Sequence, residues 1–420
     1  MEEINRCYLY KTTMNIIFLT MSSLKEVSKP DIYADLMRKF RDEGHGVYVV
    51  SPRDRWMGEN THMYDSDGIH FLGVKTLNLK KTNVIEKGIG QILVESQFKK
   101  AIKHYIGNVK YDLILYSTPP VTFPKVIQYL KKASPQAYTY LLLKDIFPQN
   151  AVDLGMMSQS GLKGILYRFF RKKEKKLYAL SDHIGCMSPA NVQYIIEHNS
   201  EIYPEKVEVA PNSYERVELA VLTEVERRAI REKYHLPVDR PIFIYGGNLG
   251  KPQGIPFLIQ CLNANADRED SHFVVIGNGT EYGKLKAWYD AKQPQSVSVF
   301  QRLPKEDYDQ LVRACDVGLI FLDYRFTIPN YPSRLLPYLM EKKPIIAATD
   351  PNCDTGSIAE QNGYGYWCPS NDVKAFTQCV DKMLNSDMAQ MGENGYRYFL
   401  NNYTIEHTYN AIIKHFKKYV

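Results

Sequence analysis

Residues 244–254 have the sequence IYGGNLGKPQG, in which a short apolar run leads into a glycine-rich turn. The run 241–246 is typical of a buried strand, and an apolar stretch with helical spacing begins near Ile255. Glycines at four positions of the turn let backbone N–H groups approach a phosphate closely, because no side chain intervenes. We therefore predict a strand, a phosphate-binding turn and a helix, with an ordinary tight turn of an α/β protein as the alternative.

The turn matches neither the GxGxxG pattern of dinucleotide-binding folds nor the GxxxxGK[ST] pattern of P-loop enzymes. Outward from it, short apolar runs alternate with helical stretches in both directions. Predicted strands lie at 15–20, 47–51, 111–117 and 137–143 before the turn, and at 273–277, 297–300, 317–322, 344–348 and 364–368 after it. This alternation indicates an α/β fold with two doubly wound parallel sheets, whose ligands bind beyond the carboxyl ends of the strands.

The length of 420 residues is most simply explained by two domains. A further strand is predicted at 207–210, and the turn chemistry of Pro211-Asn-Ser ends it as the last strand of the first half. The cleft between the two domains is then the expected ligand site. We predict a division into an N-terminal extension (1–13), a first domain (14–212), a linker (213–240), a second domain (241–403) and a C-terminal helix (404–420) that packs back on the first domain.

The composition indicates a soluble globular protein, since 44% of the residues are apolar and 24% are charged. The longest apolar runs are far shorter than the ~20 residues that cross a bilayer, and the acidic Glu2 and Glu3 argue against a secretory signal. The seven cysteines are scattered without a CxxC pattern, which argues against a disulfide framework and a zinc site. We therefore expect a reducing, cytoplasmic compartment.

The positive charge is concentrated in the first half of the chain. Residues 1–212 contain 29 Lys and Arg against 22 Asp and Glu, whereas residues 213–420 contain 24 against 25. A basic half is typical of proteins that bind nucleic acid, anionic lipid or a phosphorylated substrate, and composition alone leaves these open. Because no nucleic-acid-binding motif accompanies the basic residues, nucleic acid is not expected as a partner.

Three further stretches follow predicted strands in the second half: VIGNG at 275–279, FQRLP at 300–304 and IPNYPSRLL at 328–336. In the last stretch, Ser333 is a suitable N-cap for a helix whose first turn contains Arg334. A helix N-terminus, a hydroxyl and a guanidinium would then converge, which suits a diphosphate. Ordinary loops and a capped surface helix are the alternatives.

In this order the motifs resemble those of the retaining family 4 glycosyltransferases of GT-B fold, most closely the bacterial polysaccharide branch with fucosamine and other acetamidosugar transferases. The resemblance covers residues 14–420. In the first half it is carried by YADL at 33–36, EGHGV at 43–47, STPP at 117–120 and DIFPQ at 145–149. It implies two Rossmann-like domains that face each other across a cleft, the first for the acceptor and the second for a nucleotide-sugar.

The resemblance further implies that a UDP-sugar is the co-substrate and that neither a metal ion nor another cofactor is needed. The diphosphate would be held by the glycine turns and the 333–335 segment, and the base by the segment around 300–303. The implied donor-binding residues are Gly247, Asn248, Gly250, Lys251, Gln253, Gly277, Asn278, Gly279, Arg302, Leu303, Ser333, Arg334 and Leu335.

The chain departs from the family pattern in its charged residues. Asn248 and Gln253 stand where many members carry an Arg and a Lys, which leaves Lys251 and Arg334 as the nearby cations. Many members also carry two glutamates, the second of which contacts the ribose.

Proline occupies both of those glutamate positions, at Pro329 and Pro337. Proline offers no carboxylate, so either the ribose is recognised differently, or Glu341 or backbone groups take over. The two prolines also favour a noncatalytic alternative.

In the first half, Asp145 follows the apolar run 140–143 and precedes Ile-Phe-Pro. A carboxylate at the carboxyl end of a strand can orient or deprotonate the acceptor hydroxyl, so Asp145 is the predicted catalytic residue. The alternative is an N-cap or ion-paired aspartate. Arg53 and Arg55 also follow a strand, and with Ser117 they are predicted to contact the acceptor; for the arginines, a solvated loop is the alternative.

The run RFFRKKEKKLY at 168–178 is the densest charge cluster of the chain. On a helix it has both apolar and basic faces, which suits an anionic membrane surface. A charged outer face over a packed inner face is the alternative.

Together these features predict a retaining glycosyltransferase that moves a hexose-type sugar, specifically an acetamidosugar, from a UDP-sugar to a polyprenyl-diphosphate-linked saccharide. The product would enter capsule, O-antigen or exopolysaccharide synthesis. The protein would act in the cytoplasm, peripherally on the inner face of the cytoplasmic membrane. The alternatives are a GT-B nucleotide-sugar epimerase and a noncatalytic partner that binds a nucleotide-sugar or lipid.

Overall fold

The computed structural model describes residues 13–79, 84–216 and 220–416, so most of the predicted extension 1–13 lies outside the described residues. The strands of the first sheet are β1 (Asn15–Leu19), β2 (Gly46–Asp54), β3 (His62–Ser66), β4 (Ile69–Thr76), β5 (Leu113–Ser117), β6 (Tyr138–Leu143), β7 (His183–Cys186) and β8 (Val207–Val209). They are ordered β3-β4-β2-β1-β5-β6-β7-β8. Every neighbouring pair is parallel except β3 with β4.

Helices connect these strands. They are α1 (Ile32–Asp42), α2 (Val84–Tyr105), α3 (Pro124–Ala133), α4 (Gln149–Asp153), α5 (Gly161–Leu180) and α6 (Pro189–His198). We call this sheet and its helices the first unit.

The second unit begins with α7 (Glu224–Lys233) and contains a six-stranded sheet. Its strands are β9 (Ile242–Asn248), β10 (His272–Asn278), β11 (Val297–Phe300), β12 (Val317–Phe321), β13 (Ile345–Thr349) and β14 (Gly365–Pro369). They are ordered β11-β10-β9-β12-β13-β14, and all pairs are parallel. The helices that follow α7 are α8 (Ile255–Ala264), α9 (Tyr282–Lys292), α10 (Lys305–Ala314), α11 (Leu335–Met340), α12 (Thr355–Gln361), α13 (Val373–Leu384), α14 (Met388–Asn402) and α15 (Ile405–Ile413).

The prediction of two doubly wound, Rossmann-like α/β sheets is confirmed. Several elements were missed, among them β7, α2, α6 and α14. The most consequential omission is the antiparallel hairpin that β3 and β4 form at the edge of the first sheet. Its turn contains Asp67 and Gly68, both at positive φ, which is the Asp-Gly signal of a tight hairpin. Because β4 pairs with β2 as far as Asp54, residues 52–54 extend the predicted strand 47–51 and do not form the loop that was the alternative.

Helix α15 returns the chain to the first unit. Its side chains Ile405, Tyr409 and Ile412 are buried in the same apolar cluster as Ile16 and Phe40. The last four residues of the predicted helix 404–420 lie outside the described part.

Residues 322–334, which follow β12, carry the second unit onto the first. Leu322, Phe326 and Ile328 are buried in the apolar cluster that contains Ile146 and Leu154 of the first unit. Hydrogen bonds accompany this contact: Thr327 donates from its backbone nitrogen to Asp153 Oδ2 at 2.8 Å, and Asn191 Nδ2 donates to the carbonyl oxygen of Pro329 at 2.6 Å. The face between the units is thus partly apolar and partly hydrogen-bonded.

Helix α7 lies inside the predicted linker 213–240, of which residues 217–219 fall outside the described chain, and it is tied to the second sheet by ion pairs. Arg231 is buried and donates to Asp316 Oδ2 at 2.7 Å and to the carbonyl oxygen of Ala314 at 2.9 Å. Asp316 also accepts from the backbone nitrogen of Ile242 at 2.7 Å, at the start of β9. The pair therefore fixes α7 to the central strand of the sheet.

We predict that Arg231→Ala lowers the free energy of unfolding by about 2 kcal/mol, because Asp316 loses its buried cation and keeps only its ion pair with the more exposed Arg227. Arg228 lies on the same helix but is exposed, and its ion pair with Glu232 is a surface pair. The matched variant Arg228→Ala should change stability by less than about 1 kcal/mol. If urea unfolding shows the same loss of stability for Arg231→Ala and Arg228→Ala, Arg231 does not anchor the helix.

Candidate functional site

The glycine turn lies at the carboxyl end of β9, where β10 runs beside it. The two strands stay paired through Gly247 with Gly277 and Asn248 with Asn278. A Cβ atom at Gly277 would lie 2.0 Å from the carbonyl oxygen of Gly247, and one at Gly279 would lie 2.3 Å from that of Leu249. Gly277 and Gly279 must therefore be glycines because the turn after β10 packs directly on the turn after β9. The sequence did not reveal this contact.

Arg334 lies beneath this turn. Its guanidinium carbon is 4.5 Å from the centroid of the Tyr245 ring. A Cβ atom at Gly247 would be 3.5 Å from the same guanidinium, so the glycine leaves the charge close to the surface of the turn. Nη1 of Arg334 is buried without a hydrogen-bond partner, and no carboxylate in the described chain forms an ion pair with the side chain. Arginine keeps its charge under these conditions, so an anion above the turn would meet an unpaired cation.

Two further tyrosines fix this arrangement. Tyr338, one helical turn after Arg334, donates from its hydroxyl to the carbonyl oxygen of Ile244 at 3.1 Å. The backbone nitrogen of Gly246 donates back to that hydroxyl at 3.3 Å. Tyr308 packs against Gly246 so closely that no Cβ would fit there. Sequence reasoning missed both tyrosines, although Tyr338 follows Arg334 at the i, i+4 spacing of one helix face.

The positions that depart from the family pattern bond to each other. Asn248 Nδ2 donates to Gln253 Oε1 at 2.8 Å, and Gln253 Oε1 also accepts from the backbone nitrogen of Gly250 at 3.2 Å. The turn is therefore closed by a neutral amide pair. Lys251 is exposed, has no ion-pair partner among the residues that the structure describes, and lines a cavity of about 220 Å³ that Leu154 of the first unit also lines.

The segment 333–335 differs from the prediction. Ser333 does not cap α11, because the helix begins only at Leu335 and the N-cap position is Arg334. The Ser333 hydroxyl instead accepts from Asn212 Nδ2 of the first unit at 2.7 Å. Leu335 is buried in the core, and its backbone nitrogen already donates to the carbonyl oxygen of Pro332. Neither its side chain nor its backbone nitrogen is therefore available to a nucleotide-sugar.

The other predicted donor positions are more open. Asn278 is exposed, and its side chain accepts from the backbone nitrogen of Gly279 at 2.8 Å. Arg302 follows β11, two strands from the glycine turn, and is exposed with no partner in the described ranges. Leu303 is partly buried against the core.

Glu341 cannot replace the missing glutamates. It lies at the C-terminal end of α11, just before β13, and pairs with Arg313 at 3.4 Å. The glycine turn is at the carboxyl end of the parallel β9, so Glu341 is at the opposite edge of the sheet. The backbone of Pro329 does not replace the missing carboxylate either, because its carbonyl oxygen already accepts a hydrogen bond from Asn191.

Asp145 lies two residues beyond β6, beside the interface with the second unit. The backbone nitrogens of Lys144 and Asp145 both donate to Thr118 Oγ1, at 2.9 and 3.3 Å, which orients the loop. The carboxylate itself has no hydrogen bond or ion pair within the described chain, and the N-cap of α4 is Pro148. Burial raises the pKa of Asp145 to about 6. The N-cap and ion-pair alternatives are therefore wrong.

Tyr33 joins Asp145 and Ser117 in one place. The Tyr33 side chain lies near Ser117, and the pKa of its hydroxyl is raised by burial and by the nearby charge of Asp145. Ser117 ends β5 and donates to Thr20 Oγ1 at 3.3 Å. Tyr33 was part of a motif that carried the resemblance, but it was given no role.

The prediction that Arg53 contacts the acceptor is wrong. Its side chain is fully buried under the missed hairpin, where Nε is 3.1 Å from Glu59 and Nη2 donates to the Tyr64 hydroxyl at 2.8 Å. Arg55 is exposed, but Nη2 pairs with Glu86 at 2.9 Å. Arg55 begins a short 3-10 helix (Arg55–Met57), so the loop alternative does not hold for it either, and its contact with the acceptor stays a prediction.

No group of three or more His, Cys, Asp or Glu side chains among the described residues could hold a metal ion. No helix in residues 13–79, 84–216 and 220–416 is long and apolar enough to cross a membrane.

Comparison with known proteins agrees with this geometry. Residues 226–398 match the model of the family Glycosyl transferases group 1. The probable glycosyltransferase WbjE of Pseudomonas aeruginosa is 24% identical over 327 residues, which are 74% of this chain and 75% of WbjE. The putative colanic acid biosynthesis glycosyl transferase WcaI of Escherichia coli K12 is 24% identical over 209 residues, about half of either chain.

Solved structures share the fold over almost the whole chain. Sucrose-phosphate synthase from Thermosynechococcus elongatus superposes with a TM-score of 0.76 at 14% identity, over 96% of this chain and 98% of that one. Anabaena HepE in complex with UDP superposes with a TM-score of 0.66 at 14% identity, over 96% and 100%. The GT-B architecture is thus confirmed, and the matched domain and the glycosyltransferase relatives support a transferase enzyme.

We predict that Asp145→Asn raises the free energy of unfolding at pH 7 by about 3 kcal/mol. Because the pKa of Asp145 is about 6 in the folded protein and near 3.8 when unfolded, the folded state loses stability as the pH rises through this window. The neutral amide of the variant has no charge to bury, so it does not lose this stability. The difference in free energy of unfolding between variant and parent should therefore disappear towards pH 4. Urea unfolding across this range measures it.

The exposed Asp267 provides the matched control. Asp267→Asn should leave stability unchanged within about 0.5 kcal/mol at both pH values. A loss of stability in Asp145→Asn at pH 7 would mean that the carboxylate has a structural partner after all.

Proposed function

We propose that this protein is a retaining family 4 glycosyltransferase that transfers a hexose-type sugar, specifically an acetamidosugar, from a UDP-sugar to a polyprenyl-diphosphate-linked saccharide. The product would serve capsule, O-antigen or exopolysaccharide synthesis. Similarity to WbjE and to the colanic acid protein WcaI supports the polysaccharide context. The solved complexes of HepE with UDP and UDP-glucose support the choice of donor.

The unpaired guanidinium of Arg334 beneath Gly247 carries this proposal. A UDP-sugar presents two phosphates, and a buried cation without a counter-ion binds an anion more strongly than an exposed one, because little water screens the pair. Lys251 at the mouth of the turn supplies a second positive charge. In this proposal these two cations stabilise the departing diphosphate, and no metal ion is required.

Asp145 acts on the acceptor in the proposed reaction. A carboxylate with a pKa of about 6 is ionised at neutral pH, yet is basic enough to take a proton in the transition state. The acceptor oxygen forms a new bond to the anomeric carbon on the face from which the phosphate oxygen departs. The acceptor proton passes to Asp145, and the configuration is retained.

The full chain should release UDP when it is given a matching UDP-acetamidosugar and a polyprenyl-diphosphate-linked saccharide, and the new linkage should be α. Arg334→Leu should lower turnover about 100-fold or more, because the diphosphate loses its buried partner. It should also abolish the thermal shift that UDP causes in the parent protein. Arg228→Leu, an exposed change far from the turn, is the control and should behave as the parent.

Three outcomes would contradict this function. A β-linked product by NMR would refute retention. An isomerised donor without acceptor would identify an epimerase. No thermal shift with any nucleoside diphosphate, and no turnover, would remove the donor site itself.

The first unit has a surface that suits an anionic membrane, which would place the protein peripherally on the cytoplasmic face. Exposed apolar side chains lie on two helices that are joined by the Lys173–Glu95 ion pair at 2.8 Å. On α5 the basic residues Arg168, Lys172 and Lys176 are also exposed, without ion-pair partners in the part of the chain described. The exposed apolar residues are Ile89, Ile92 and Leu93 on α2 and Ile165, Leu166 and Phe169 on α5.

We predict that the protein sediments with vesicles that contain phosphatidylglycerol and not with pure phosphatidylcholine vesicles. Replacing Lys172 and Lys176 by glutamate should weaken this binding by at least roughly tenfold, since each charge near the surface contributes favourably. Lys374→Glu, on α13 of the second unit, is the charge-matched control. Equal binding to both vesicle types would contradict the membrane surface without affecting the donor site.

A further inference from the structure

A polar cavity lies between α4, α5 and α6 of the first unit. Its volume is about 180 Å³. It is not part of the donor site, which belongs to the second unit. Its lining includes the polar side chains Gln159, Arg171, Glu174, Tyr194, His198 and Asn199.

The inner wall of the cavity is held rigidly by charged hydrogen bonds. Arg171 Nη1 donates to the buried Glu174 carboxylate at 2.5 Å, and Arg171 Nη2 donates to Asn199 Oδ1 at 2.7 Å. The Tyr178 hydroxyl donates to the other oxygen of Glu174 at 2.7 Å. Because the arginine and the glutamate neutralise each other, the wall is polar without a net charge.

The outer wall retains free hydrogen-bonding groups. Tyr194 stacks on His198 with ring centroids 3.9 Å apart and an angle of 15° between the planes. The Tyr194 hydroxyl, His198 Nε2 and Gln159 Oε1 have no hydrogen-bond partner among the described residues. An aromatic face is therefore combined with a hydroxyl, an imidazole nitrogen and an amide oxygen.

The cavity adjoins the acceptor side of the proposed reaction. Ile146 follows Asp145 directly in the chain, and Gln149 lies on α4, at the interface between the units. Gln149 Nε2 donates to Asp153 Oδ1 at 2.8 Å, and Asp153 in turn accepts from Thr327 of the second unit. A ligand in this cavity would thus be next to the loop that carries the proposed base.

We propose that this cavity is a saccharide subsite, which binds the sugar ring of the acceptor that adjoins the reacting one. The proposal rests on the proposed function for the identity of that acceptor. Free donors and acceptors around an aromatic face suit a ring with several hydroxyls, which both donates and accepts hydrogen bonds. The absence of net charge disfavours an anion, and the hydrogen-bonding groups set among the apolar side chains of the lining disfavour a lipid chain, which could not satisfy them. The volume is below the ~300–1,000 Å³ of typical small-molecule sites, so it suits one ring and not a chain of sugars.

Saturation-transfer NMR on the full chain, without donor, tests the subsite directly. The probes are free N-acetylglucosamine, N-acetylgalactosamine, glucose, galactose, fucose and rhamnose. At least one should bind, and Gln159→Ala and Tyr194→Phe should each weaken that binding roughly five- to tenfold, because each removes one uncharged hydrogen bond to the ring. Gln193→Ala, on the exposed outer face of α6, is the control and should bind as the parent does.

Gln159 is exposed, so its variant should fold, and Tyr194→Phe keeps the ring. The proposal is overturned if none of these sugars binds, or if both variants bind as well as the parent. The thermal shift with UDP is measured on the same samples. If the parent protein binds a sugar but shows no thermal shift with UDP, the donor site is contradicted and the subsite stands. If it shows the thermal shift but binds none of the sugars, only the subsite is contradicted.

Discussion

The stacking of Arg334 on Tyr245 is the interaction on which the second unit is built. A buried guanidinium without a carboxylate is costly, and the face of an aromatic ring offsets part of that cost. Tyr245 belongs to the central strand β9, so the charge sits at the middle of the sheet. The glycine at 247 keeps the backbone above it free of side chains. The unit thus holds a positive charge in place before any ligand arrives.

Arg334 is also the last residue of the segment 322–334, which joins the two units. This segment contributes apolar side chains to the core of the first unit and hydrogen bonds to α4 and α6. At its end, Ser333 bonds to Asn212 of the first unit, one residue before Arg334. The position of the buried charge is therefore set by both units, and a shift of one against the other would move it.

The sequence was sufficient for the fold, because short apolar runs between helices have few other solutions. It also placed Asp145 at a strand end and Arg334 near the glycine turn. It failed where a side chain depends on a distant partner. Arg53 looks like a loop residue until the hairpin β3–β4 covers it, and Ser333 looks like a cap until Asn212 reaches it. Both contacts join residues that no local pattern connects, and the polar cavity likewise collects side chains from three helices.

The return of α15 to the first unit has a consequence for how such proteins can be recombined. The chain enters the second sheet at β9 and leaves it before Ile405, yet its last described helix completes the core beside α1. A chimera that exchanges everything after a single junction would replace Ile405, Tyr409 and Ile412 in that core by the tail of the other chain, which is not matched to Phe40. A working exchange between related chains needs two crossover points, one before α7 and one after α14, so that the tail stays with its own first half.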